Sequence, residues 1–221
     1  MKHSKWVLLI VPLLLISGSL FVARKRAQKK RVLLLQIEFK RALDDRDPER
    51  MKHLLSLGAN PDVDDSSGWS ALDYAVGSFD DTEDLDEALL RAHANVNRRN
   101  AHGEPPLAGV INVCGGCGCT TNDEEAIFLL QHGAKAETSY GKRTPLLDSA
   151  DMVGFAPEEN LRLIPVLLRY GADANKRNLK GETAYDIVAA FKGDNAKQEK
   201  QRQHVLALLK AAMKSPKHHL G

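Results

Sequence analysis

Four times the chain closes an apolar stretch with nearly the same phrase: LLSLGANPD at 54–62, LLRAHANVN at 89–97, FLLQHGAKAE at 128–137 and LLRYGADAN at 167–175. Each reads as the end of a helix, a residue suited to a left-handed cap, then a polar turn. Gly58, Gly133 and Gly171 take that place in three copies, and His93 takes it in the other, where some strain is expected. A chain with such a repeat is constrained to a stack of similar units, each burying its face against its neighbours.

A second signal follows each of these by eleven or twelve residues, at Ser70, Pro105, Thr144 and Thr183. It marks a helix start behind a Gly-containing polar turn: DDSSGW, RNAHGE, SYGKR and NLKGE. Ser70 with Asp73, and Thr183 with Asp186, fit a hydroxyl cap reinforced by an acid three residues on. Pro105 offers no such hydroxyl and marks the weakest start.

These residues, best seen in GKRTPLLDSA and LLRYGADANKRNLKGETAYDIVAA, resemble the ankyrin repeat family. The resemblance spans roughly 33–213. It implies an all-α repeat, an ankyrin-type solenoid of about five helix pairs with β-hairpin turns. The parts would be an N-terminal cap at 33–63, repeats at 64–97, 98–137 and 138–175, and a C-terminal cap at 176–213, with a disordered tail at 214–221. The family's histidine after the helix start is absent: Asp73, Ala108, Leu147 and Asp186 stand there.

Spacing from helix start to left-handed cap is 23, 28 and 27 residues in the middle copies. The family's repeat length leaves about 21. The extra residues therefore fall between the two helices of a repeat. One such loop is CGGCGCTTND, with Cys114, Cys117 and Cys119, the only cysteines of the chain. Three thiolates need a fourth ligand for tetrahedral zinc, and Asp123, His102 and His132 are the nearby candidates. A disulfide such as Cys114–Cys117 is a second reading. The leading one is a glycine loop with free thiols, so no metal or other cofactor is expected.

The first part of the chain differs in kind. After a short tail at 1–5, residues 6–23, WVLLIVPLLLISGSLFVA, carry no charge, and RKRAQKKR follows at once. Eighteen apolar residues beside a basic cluster are expected to form a transmembrane anchor, with 24–32 as a juxtamembrane linker and the repeats on the cytoplasmic side. The alternative is export after cleavage of a signal peptide. Eight of the 31 Lys and Arg lie in residues 1–31 and none of the 29 acids does, so the rest holds 23 basic and 29 acidic residues. An acidic bulk argues against nucleic acid as a partner.

No nucleophile–base pair or phosphate loop stands out, and an enzyme is not expected. The acids of DDTEDLDE at 80–87 suit a helix N-terminus better than a calcium loop. His132 suits the end of a helix, and His218 and His219 suit a basic tail. The resemblance implies a module that binds a protein partner through turn tips and the concave helix face, and a monomer is expected. Partner-binding candidates are Trp69, Arg99, His102, Tyr140, Lys142, Arg143 and Lys180. Trp69 and Tyr140 are expected to be exposed at the mouth of a groove, although a Trp there could instead cover its own repeat. The function expected is a membrane-tethered scaffold. An inhibitor or immunity-type protein acting on a toxic enzyme at the envelope, or a metal or thiol sensor using the cysteine loop, are the alternatives.

Overall fold

The computed structural model describes residues 4–77, 84–111, 113–115, 118–214, with side chains undescribed at 4–20 and in the two short strands. It divides into two compact units, 1–60 and 61–221.

In the first unit, α1 (Ser4–Asp44) turns at Asp45–Asp47 into α2 (Pro48–Ser56). Asp47 caps α2 by accepting from the Arg50 N–H at 2.9 Å, and Pro48 occupies the first helical position, where no donor is needed. Phe39, Ala42 and Leu43 of α1 and Met51, Leu54 and Leu55 of α2 are buried, and the Glu38 carboxylate pairs with Arg41 and Arg50.

The second unit holds α3 (Ala71–Gly77), α4 (Leu85–Arg91), α5 (Pro106–Ile111), α6 (Asp123–Gln131), α7 (Pro145–Met152), α8 (Pro157–Arg169), α9 (Ala184–Ala190) and α10 (Ala196–Lys214). Consecutive helices pack as the pairs α3/α4, α5/α6, α7/α8 and α9/α10. Helices α3, α5, α7 and α9 form one row, and α6, α8 and α10 form a second. Leucine and alanine fill the space between the rows, among them Leu89, Leu107, Leu129, Leu146, Leu163, Leu167 and Leu209. Between α5 and α6 stand the strands β1 (Val113–Gly115) and β2 (Gly118–Thr120), paired antiparallel.

Two sequence expectations need correction here. The first is the membrane anchor. Among the described residues no helix is long and apolar enough to cross a membrane. The apolar run at 6–23 is not a separate helix. It is the first part of α1, which continues without a break through RKRAQKKR to Asp44. Eighteen residues lie at the short limit of a span, and the helix that contains them becomes strongly charged. The expected transmembrane segment and the single-pass membrane localisation with a cytoplasmic domain are therefore not borne out.

The second is the ankyrin-type solenoid with β-hairpin turns. The turns ahead of the first helices carry single bridges, Asp64–Ser70, Tyr140–Arg143 and Arg177–Thr183, and no strand pair. The cause is local. Asp65, Asn100 and Asn178 each accept backbone N–H groups two and four residues on, at 2.8–3.1 Å. Such side-chain bonds curl the chain within the turn and compete with an extended ladder. The turn at Tyr140 is one residue shorter, and Gly141 (φ 64°) closes it between mutual Tyr140 and Arg143 backbone bonds. The fold described is thus a set of helix pairs with one short two-stranded ribbon between α5 and α6, and the ankyrin assignment is not shown by it.

The repeated closure does have a shared geometry. Gly58, His93, Gly133 and Gly171 have φ of 91°, 65°, 92° and 90°. In each copy the alanine that follows donates to a leucine carbonyl five residues back, as Ala59 to Leu54 (3.0 Å), Ala94 to Leu89 (2.9 Å), Ala134 to Leu129 (2.9 Å) and Ala172 to Leu167 (3.0 Å). This is the bonding that satisfies the last carbonyls of a helix. The helix starts also match their sequence signals. Ser70/Asp73 and Thr183/Asp186 exchange side-chain and backbone bonds reciprocally, and Thr144 caps α7. Helix α5, which begins behind Pro105, is the shortest at six residues.

The turns are tied to one another by a ladder. Asp62 accepts from the Asn95 N–H (2.9 Å), Asn97 from the Lys135 N–H (2.8 Å), and Glu137 from the Asp173 N–H. Asn97 also donates to the Gly133 carbonyl at 2.9 Å.

Two outcomes follow for stability. Replacing His93 (φ 65°) with Gly should raise the denaturant midpoint by the equivalent of about 1 kcal/mol, because a left-handed residue with a Cβ costs about that much. An unchanged or lower midpoint would place the strain elsewhere. Asn97→Ala removes two links between turns and should cost about 1–2 kcal/mol. The same change at Asn175, which has no later turn to hold, should cost far less.

Candidate functional site

The turns that precede α3, α5, α7 and α9 lie in register along one side of the second unit. Trp69 in the first and His102 in the second come together, with ring centroids 4.8 Å apart and planes tilted by 47°. The His102 Nε2 lies 3.0 Å from the Ser67 carbonyl, and the Ala101 N–H donates to the Gly68 carbonyl at 3.0 Å. Gly68 is required there. Its φ is 92°, and a Cβ on it would lie 2.9 Å from the Ala101 Cβ. Trp69 is held on one face by His102 and still keeps 37% of its surface exposed.

The other candidates divide. Arg99 donates to the Gly103 carbonyl of its own turn (2.7 Å) and the Ser139 carbonyl of the next (2.6 Å), so it joins two turns. Arg98 does similar work through two bonds to Asp64, at 2.5 and 3.0 Å. Tyr140, expected at an exposed mouth, is 8% exposed, and its hydroxyl is buried without a partner. The Arg143 guanidinium lies over its ring at 5.5 Å and donates to the Asp148 carboxylate at 2.8 Å. Lys142 and Lys180 are exposed. Sequence reading missed Leu179, which sits at the tip of the last turn and is 85% exposed. A large apolar residue between Asn178 and Lys180, in a turn otherwise polar, was the available signal.

Burial pushes the Asp148 carboxyl up to about 8, and the charges of Asp151 and Glu104 push the same way. The Arg143 side chain that opposes this is 44% exposed, so water screens its pull and burial prevails. One carboxylate oxygen of Asp148 is buried with no hydrogen-bond partner. Asp151 is raised too, by burial first, against the opposing charges of Lys180 and Arg143. Asp73 is raised by burial despite its bonds from Ser70 and Asn100.

The metal candidates are engaged elsewhere. Asp123 pairs with Arg162 at 2.8 Å, His102 packs at a tilt against Trp69, and the His132 ring caps α6 with Nδ1 at 2.9 Å from the Phe128 carbonyl. No group of three metal-ligating side chains occurs among the described residues. Cys117, His218, His219 and part of the 80–87 acidic run lie outside them, while Asp86 and Glu87 stand in the first turn of α4. The cysteine backbone is described at 114 and 119, which pair directly across β1 and β2.

An acid whose folded-state pKa is raised binds its proton more tightly in the folded than in the unfolded chain. The stability Asp148 allows is therefore full below about pH 4 and falls as pH rises toward about 8. Asp148→Asn should flatten the dependence of the denaturant midpoint on pH between about 5 and 8. Equal slopes in variant and parent would show that Asp148 is ionised throughout that range.

No family model matches the chain, and no curated protein is significantly similar to it, so any function rests on the geometry of these turns.

Proposed function

We propose that the unit 61–214 is a protein-binding module that engages a partner through the tips of its turns, centred on Trp69 and His102. The observation that carries this reading is the Trp69 ring, 37% exposed yet packed against His102. An aromatic held in place before binding loses little freedom on binding, and tryptophan is among the residues that most often dominate an interface. Leu179, with Lys142 and Lys180, extends the surface toward the last turn. The module is read as a binder rather than an enzyme. Fold alone does not name its partner.

The test measures folding and binding on the same variants of the full chain. Bait protein is incubated with native extract of the cells that make it, and the captured species are quantified. Trp69→Ala should weaken capture by at least about thirtyfold, the equivalent of ~2 kcal/mol, with little change in denaturant midpoint. Phe155→Ala, 71% exposed between α7 and α8, should leave capture unchanged. If Trp69 only covers its own turn, the midpoint should instead fall by a few kcal/mol while capture per folded molecule stays as before. That result would refute the proposal.

A further inference from the structure

The register of the short ribbon joins two of the three cysteines in a way their spacing does not suggest. Val113 pairs with Thr120, Cys114 with Cys119, and Gly115 with Gly118. Directly opposed residues of an antiparallel pair have Cα atoms about 4.5–5.5 Å apart. A disulfide spans Cα separations of about 4.4–6.8 Å. Cys114 and Cys119 thus occupy one rung whose backbone already has the spacing of a disulfide. The familiar Cys-x-x-Cys spacing of Cys114 and Cys117 gives no such rung.

The base of the ribbon is fixed. The Asn122 N–H donates to the Val110 carbonyl at 2.9 Å, and the Thr121 hydroxyl donates to the Ile111 carbonyl at 2.8 Å. Thr121 also bonds with the buried Asn160, which in turn accepts from Ser149. Both ends of the ribbon therefore leave the packed helices at set points. That keeps the two strands together and raises the effective concentration of one cysteine at the other.

We propose that Cys114 and Cys119 form a reversible cross-strand disulfide by exchange with a small-molecule disulfide. The thiolate of one cysteine attacks the small disulfide, forming a mixed disulfide and releasing one small thiolate. The thiolate of the second then attacks the protein sulfur of the mixed bond and releases the other small thiolate. Two protein thiols are oxidised by two electrons, the small disulfide is reduced to two thiols, and the two protons lost from the cysteines end on those thiols. The site does not depend on the partner-binding reading, because it lies between α5 and α6 and shares no residue with the turns that carry Trp69, His102 and Leu179.

The full chain and its three single Cys→Ser variants are equilibrated in glutathione buffers of graded oxidised-to-reduced ratio. They are then alkylated and weighed intact. Cys117→Ser should close an intramolecular disulfide at a ratio within about threefold of the parent. Cys114→Ser and Cys119→Ser should close none, and should carry glutathione on their remaining thiols under oxidising buffer. Circular dichroism of each variant verifies folding. If Cys119→Ser closes a disulfide as readily as Cys117→Ser, or if Cys117→Ser closes none in the most oxidising buffer, the proposal is overturned.

Discussion

In the second unit, one side chain from each turn accepts the backbone N–H of the next: Asp62 from Asn95, Asn97 from Lys135, Glu137 from Asp173. The acceptors occupy equivalent places, four residues past the left-handed closure, and the donors lie two residues past the following one. Hydrophobic burial between helices is not directional. Leucine against leucine would tolerate a slide of one pair along another. A hydrogen bond to a named N–H does not. The ladder therefore sets the register, and the apolar rows of α3, α5, α7, α9 and of α6, α8, α10 then supply most of the stabilisation within it.

The same demand for register consumes residues that would otherwise suit a partner. Arginine is prominent at interfaces, yet Arg98 is held by Asp64, Arg99 bridges Gly103 and Ser139, and Arg177 donates to the Gly181 carbonyl. A guanidinium in two internal bonds must break them to meet a ligand. What remains at the tips is smaller: the Trp69–His102 pair, Leu179 and two lysines. Exposure of apolar surface at these points has no part in the ladder or the core.

Features that depend on a few consecutive residues were legible in the sequence. The Gly or His closure, the Ser70 and Thr183 capping boxes and the short α5 behind Pro105 are each determined within about five residues. Features that depend on a neighbouring turn were not. The sequence offers Arg99 and Tyr140 as exposed side chains, and only the position of Ser139 and Arg143 shows that one is bonded and the other covered. The apolar run at 6–23 misled for a related reason. A window of eighteen residues records its own hydropathy and ignores that the helix runs on to Asp44 through nine further charged residues by Arg41. Cysteine pairing was equally hidden, because spacing suggests Cys114 with Cys117 while register opposes Cys114 to Cys119.

Gly68 shows how register and surface become one problem. Its carbonyl accepts from Ala101, and it has room for no Cβ against that residue. A larger residue would have to push the second turn away from the first. The stack would lose one backbone bond, and His102 would leave the face of Trp69. Yet the Asn97 and Asp62 links lie at the other end of their turns, beyond direct contact with Gly68, and could hold the helix pairs in place. Loss of the aromatic pair and loss of the fold are thus separable in this protein. The turn tips can vary in sequence while the ladder beneath them keeps its spacing, which is the property a binding surface needs if it is to change partners without changing its scaffold.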